Sequence, residues 1–340
     1  MKKSVFISVF LLSVVTMAFA QQKFNVQNGT KTVFYSSLEE AIQQAASGDT
    51  IYLPGALINT EKDIVIDKKL ALIGAGCDTD SIGGLKRTEI QRIINFRNGS
   101  TGSLLTGCVV NGISFGHRND VNDVFQDIQN ITISRNLIQG TITMGVESTG
   151  QNPNKVSNVF IQENIIDYIN GIYASDCWIN NNLIKRDAIR HLNNSYIYNN
   201  VIYNNRLYAL HACTVENNYI YNNPDFGSCS NSSFNNNAFR EAITFPSGTN
   251  TGVNNLISQE TIKTFVVNNL DLPKNLEIRV ESPCKNAGTD GADIGIFGGT
   301  TPYKKGAAPF TPHIDKSIIS AQTDVEGKLK VEFKVSAQDR

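Results

Sequence analysis

Apolar residues in the middle of this chain recur at a fixed short interval. Seven times an asparagine precedes two mostly apolar residues: at Asn136, Asn164, Asn182, Asn200, Asn218, Asn237 and Asn255. Successive spacings are 28, 18, 18, 18, 19 and 18 residues. A unit this short cannot bury a core alone and has to stack on its neighbours, which predicts a solenoid. Five residues before each asparagine the column reads Ile131, Val159, Cys177, Ser195, Cys213, Ser232, and three before it reads Ile133, Ile161, Ile179, Ile197, Val215, Phe234. Two after it stand Ile138, Ile166, Ile184, Ile202, Ile220 and Phe239. The first two columns lie two apart, the period of a strand with one buried face. No helical three-and-four spacing is sustained over ten or more residues. Eighteen residues suit three short strands per coil.

The asparagine has its own reason to be there. Sharp turns between inward-facing strands call for a residue near the left-handed region, which Asn enters cheaply. Its amide can also bond to the same amide one coil on, as in stacked in-register strands. The column therefore predicts parallel coils about 4.8 Å apart.

Flanking segments read as caps. Ser37 and Glu40 form a capping box, and Leu38, Ile42 and Ala45 a stripe, so a helix over 37–46 is expected to close the open first coil. Ile64–Ile66 and Leu70–Gly74 read as early strands; residues 75–103 look less regular, and Val110-Asn111-Gly112-Ile113 reads as an irregular repeat member. An insertion near 145–155 accounts for the spacing of 28. Residues 302–312 form a linker with three prolines, and Lys328–Val335 alternates as a half-buried strand expected to pack on the solenoid, with an attachment or sorting tail as the other reading.

The pattern resembles the right-handed parallel β-helix of the pectate-lyase-like superfamily over roughly residues 50–300. The entry Ala45 to Leu53, with Gly48-Asp49-Thr50-Ile51, is similar to that of many extracellular β-helix proteins. Ser282–Gly288 followed by Asp293–Gly299 resembles a closing motif found in proteins of polysaccharide metabolism. The expected layout is a signal peptide over 1–20, a helical cap over 21–55, the β-helix over 56–300, and a linker with a β tail over 301–340.

The start changes the picture of location. Met1-Lys2-Lys3, an apolar run from Val5 to Phe19 and Ala18-Phe19-Ala20 make a secretory signal with cleavage near Ala20, so a secreted, periplasmic or cell-surface protein is expected, with no span in the mature chain. Removing Lys2 and Lys3 from 30 basic residues leaves 28 against 31 acidic, a formal charge of −3. That argues against nucleic acid as the general partner. A polysaccharide is the expected partner, and a monomer the expected state. Cys177 and Cys213 share an interior column two coils apart, about 9–10 Å, too far to bridge. Cys77–Cys108 and Cys229–Cys284 pairings stay open.

Two candidate sites follow. Four residues before the asparagines, Phe160, Trp178 and Tyr196 occupy successive coils facing outward. They stack either on sugar rings or on one another. After the turn, Lys185, Arg190, His191, Tyr208 and His211 gather with Tyr173, Arg206 and Arg240. The superfamily resemblance implies that a substrate cleft lies there. A lyase acting on uronic acids needs a base for the C5 proton and a cation for the carboxylate, and these are the right residue types. Surface Lys and Arg are more often simply solvated. The paired carboxylates of glycoside hydrolysis lack their Asn-Thr-Asp, Asp-Asp or Gly-His-Gly context, and Arg-x-Pro-Arg is absent. No cofactor is called for, and calcium is left open. The expectation is a carbohydrate-associated β-helix without a complete catalytic motif; the alternative is a polysaccharide lyase working by β-elimination.

Overall fold

The computed structural model describes residues 23–77, 86–116, 127–145, 155–186, 189–203, 206–222, 224–243, 248–269, 273–304, 313–320 and 322–336. The proposed signal segment, and most of the insertion near 145–155, lie outside them. The described residues are 44% strand and 5% helix and wind as a parallel β-solenoid. One face is a 12-stranded sheet built from one short strand per coil, such as Phe160–Gln162, Trp178–Asn180 and Tyr196–Tyr198. The other two faces share a 14-stranded sheet, because the strands Thr88–Phe96, Cys108–Phe115, Leu137–Met144 and Ile165–Ser175 run round the corner between them, shifting register as they turn. In later coils this strand breaks at that corner into pairs such as Leu183–Ile184 and Ile189–Asn193.

Register is as the columns require. Ile161, Ile179, Ile197, Val215 and Phe234 pair in succession and are fully buried. The inward columns fuse into one continuous core from Phe24 to Phe239.

The asparagines stack as a ladder. Each Oδ1 accepts two bonds from the preceding coil: Asn182 accepts from the Asn164 backbone N–H at 2.9 Å and from its Nδ2 at 3.1 Å. Each Nδ2 also donates to backbone carbonyls, as Asn200 does to Ile179 and Tyr198. A buried amide placed like this leaves no donor or acceptor unmet, which keeps burial from being costly.

The left-handed residue is not the ladder asparagine, as the sequence suggested, but the one before it. Arg135, Glu163, Asn181, Asn199, Asn217, Asn236 and Asn254 have φ between 52° and 58°. The ladder asparagine must keep extended backbone, because its N–H points along the solenoid axis into the next rung. A second left-handed column, Asn130, Asn158, Asp176, Asn194, Ala212 and Asn231, turns the chain between the third and first faces.

Other expectations change. Cys108, not Asn111, continues the ladder upstream: its N–H donates to Asn136 Oδ1 at 3.0 Å, and Gly107 (φ 73°) takes the left-handed place. The stretch judged irregular holds the nine-residue strand Thr88–Phe96. Cys108, Cys177, Cys213, Cys229 and Cys284 are free thiols, so neither open pairing is formed.

At the first coil, the helix Leu38–Gln44 starts from Ser37, whose Oγ accepts the Glu40 N–H at 3.1 Å. Leu38, Ile42 and Ala45 are buried on the core end. Lys68 Nζ closes the helix, donating to the carbonyls of Ile42, Gln43 and Ala45. The tail differs from expectation. Strands His313–Ile319 and Val331–Ser336 pair antiparallel with each other, in a sheet of their own. Residues 322–335 are exposed, so the alternation of Lys328–Val335 reflects the pleat without burial.

Candidate functional site

The first outer face carries the aromatic column. Strand pairing sets Trp178 between Phe160 and Tyr196. The rings lie nearly parallel, with centroids 4.9 Å and 5.8 Å apart and interplanar angles of 7° and 12°. Both faces of the Trp178 indole are covered by its neighbours. The rings stack on one another, and their edges face solvent. Tyr196 is the exposed member, at 46%.

The second outer face is sealed. The residue after each ladder asparagine points outward yet is apolar: Ile165, Leu183, Val201, Tyr219 and Ala238 are all buried. They form a second core with Phe265, Leu276, Ile278, Cys284, Ile294, Ile296 and Tyr303. The segment 284–304, expected as a closing motif, is a strap running back along the solenoid. The left-handed corner holds it: Asn236 Nδ2 donates to Ala287 O, Asn217 exchanges bonds with Thr289, and Asn181 Nδ2 donates to Ile296 O and Gly298 O. One coil on, Glu163 accepts the Lys304 N–H at 2.9 Å and pairs with the fully buried Arg135 at 3.2 Å. Burial lifts the Glu163 carboxyl above the usual range, more than Arg135 and Lys304 pull it down. Gly298 is required here, since a Cβ would sit 1.8 Å from the backbone oxygen of Asp293.

The third outer face presents polar groups. Ile169, Ile189 and Leu207 point inward and are buried, which turns Asn170, Arg190 and Tyr208 outward in register on three coils. The Arg190 guanidinium lies over the Tyr168 ring, 5.6 Å from its centroid. Arg190 Nε is buried with no hydrogen-bond partner among the described residues. His191 has φ 56°, and this bulge swings its ring outward as well. Its Nδ1 lies 3.1 Å from Asn170 Oδ1, and Tyr208 meets the imidazole edge-on at 5.8 Å. Tyr208 in turn packs against Gly227 and accepts from Ser228 Oγ at 3.4 Å. The arrangement offers one guanidinium, one imidazole and a phenol on a surface two coil steps long, with the buried Asn170 amide bonded to the imidazole.

The structure thus joins Arg190, His191 and Tyr208 and separates the rest. Lys185 sits on the corner between the second and third faces, half-buried. His211 is exposed at the far end of its strand, its Nδ1 2.7 Å from Ser230 Oγ. Arg206 is exposed beside Asp225. Arg240 stacks over Tyr221, 4.3 Å from its centroid, and Tyr221 stacks on Tyr203 at 4.4 Å. This second stack shares the corner with Lys185. Tyr173 lies where the strand Ile165–Ser175 shifts register. Tyr168 and Asn170 were missed because Asn170 pairs with Arg190 20 positions on, so the 18-residue period does not align them. Among the described residues no group of three or more His, Cys, Asp or Glu is placed to hold a metal ion, and no helix is long and apolar enough to cross a membrane.

Comparison with known protein families, with curated proteins and with solved structures finds no match for this chain.

Proposed function

We propose that this protein binds an extended polysaccharide on its third outer face, through Arg190, His191, Tyr208, Tyr168 and Asn170, without cleaving it. The observation that carries this reading is the difference between the three faces. One is spent on self-stacked rings and one is covered by the strap. The third sets hydrogen-bonding groups and a tyrosine-backed guanidinium in register on successive coils. Coils about 4.8 Å apart present a group at each step to a linear chain of sugars. Membership of the pectate-lyase-like superfamily, with the right-handed winding nearly universal for parallel crossovers, is part of the proposal; the in-register ladder and helical cap support it. Export after cleavage near Ala20 belongs to the same reading and rests on the Met1–Ala20 pattern.

The test is affinity electrophoresis or calorimetry of the mature protein with uronic-acid and neutral polysaccharides. Arg190→Ala is expected to weaken binding at least tenfold, about 1.4 kcal/mol. Undiminished affinity in that variant removes the third face from consideration.

One observation favours a second reading, a lyase acting by β-elimination. The His191–Tyr208 edge contact beside Arg190 sets a base, a proton donor and a carboxylate partner close together. Under it, uronic-acid polymers yield an unsaturated product followed by its ultraviolet absorbance, and His191→Ala abolishes the signal.

A further inference from the structure

Among the described residues the 12-stranded first face ends in two open edges, the strand Lys31–Tyr35 at the capped end and Thr251–Val253 at the other. Their direction is set by pairing. Phe24–Asn28 runs antiparallel to Thr50–Tyr52, and Lys31–Tyr35 runs antiparallel to Phe24–Asn28. The two reversals cancel, so Lys31–Tyr35 runs the same way as Thr50–Tyr52. Every later strand of this face is parallel to that one, down to Thr251–Val253. A second molecule shifted along the solenoid axis, without being turned over, therefore brings its Lys31–Tyr35 alongside Thr251–Val253 in parallel.

Both edges are also thinly guarded. Proteins blunt exposed edges with charge, proline or a covering segment. Residues 248–257 contain no charge and no proline, and Lys31 is the one charge in Lys31–Tyr35. Thr251, Gly252 and Val253 are all exposed, as are Val33 (50%) and Phe34 (61%). The ladder also stops without a next rung: Asn255 Oδ1 accepts from Asn237 as in every coil, but no asparagine of the repeat follows it.

We propose that the partner of both edges is a second copy of this chain, joined head to tail through Lys31–Tyr35 and Thr251–Val253, so that the sheet continues from one molecule into the next. Such a contact is heterologous and does not close, so it propagates into short linear arrays. It departs from the monomer expected of the sequence. Edges of three to five residues make it weak.

Sedimentation velocity of the full chain over a range reaching about 1 mM tests it. The wild type is expected to show a concentration-dependent series of species. Val253→Lys and Phe34→Lys each block one edge and each lower association at least tenfold, with unchanged circular dichroism and unfolding midpoint. Mixing the two variants restores a dimer and nothing longer, because only one pair of edges remains intact. Should Val253→Lys fail to fold, Thr251→Lys replaces it. A wild type that stays monomeric throughout, a folded variant that assembles undiminished, or a mixture that forms no dimer overturns the proposal.

Discussion

The backbone N–H of Lys304 donates to the carboxylate of Glu163 at 2.9 Å, across 141 positions of sequence. The same carboxylate holds the buried guanidinium of Arg135. Other corner positions hold the strap with neutral amides, at Asn181, Asn217 and Asn236. The ion pair is thus one of two solutions to a single task. Removing one member strands a buried charge, so Arg135→Ala is expected to cost about 3–5 kcal/mol. The double variant Arg135→Asn/Glu163→Asn, which extends the amide column, is expected to cost less than half of that. Urea unfolding of the three proteins checks it.

The same pair gives a pH dependence. Burial raises the Glu163 carboxyl above its unfolded value, so the folded state holds that proton more tightly than the unfolded chain does. The stabilisation is fully present below the unfolded pKa and is lost as pH rises through the folded one. Glu163→Gln removes this titration. Relative to wild type it is expected to fare worst near pH 4 and to improve as pH rises toward 7. A difference in unfolding free energy that stays flat or runs the other way refutes this sign.

The ladder predicts a loss set by position. Asn200→Ala removes the bonds its Nδ2 donates to Ile179 O, Tyr198 O and Asn218 Oδ1 and strands the buried Asn182 backbone N–H, while Asn182 Nδ2 keeps Ile161 O and Asn180 O. The expected cost is about 3–4 kcal/mol. Asn255→Ala, at the half-exposed last rung, is expected to cost about 1 kcal/mol. Thermal or urea denaturation of both variants distinguishes this gradient from a uniform effect.

Thiol chemistry reports the interior columns. Burial pushes the Cys177 thiol up to about 12 and Cys213 up to about 11. Both are expected to resist alkylation at pH 8 until the protein unfolds, while the half-buried Cys229 reacts first. Mass-spectrometric mapping of labelled sites against time checks the order.

Trp178, the only tryptophan, is sandwiched between two rings. Glycan binding on the third face is therefore expected to leave its emission unchanged. Tyr196→Ala uncovers one indole face and shifts emission to the red. A glycan-induced shift in the wild type instead points to the first face as the ligand surface.

How much of this was legible follows from what each residue's pattern encodes. The columns at Ile133 to Phe234 and Ile138 to Phe239 repeat strictly, because a side chain buried in every coil must recur at the coil's own period. That made the solenoid and its register readable. The strap was signalled but unread: Leu183 and Val201 are apolar although a strand's alternation turns them outward, which means something covers them. The assignment of the left-handed turn to Asn182 instead of Asn181 arose because two adjacent asparagines satisfy two different demands and look alike in sequence. The third-face group was only half visible. Arg190 and Tyr208 pair at the coil's own period of 18, whereas Asn170 pairs with Arg190 at 20, so counting by the period does not bring Tyr168 and Asn170 to them. Lys185 and His211 were grouped with them by nearness in sequence, and the corners between strands keep them apart.

A stack whose coils touch only their neighbours can fray from either end, one coil at a time. The strap changes that. Its bonds to Asn236, Asn217, Asn181 and Glu163 tether the two ends of a run of successive coils to a single covalent segment. Melting any one of them loosens the footing of the others, so the stretch from Glu163 to Asn236 behaves as one cooperative unit. With the segment cut away, the sharp transition is expected to broaden into a sequence of partial ones, beginning at the uncapped end.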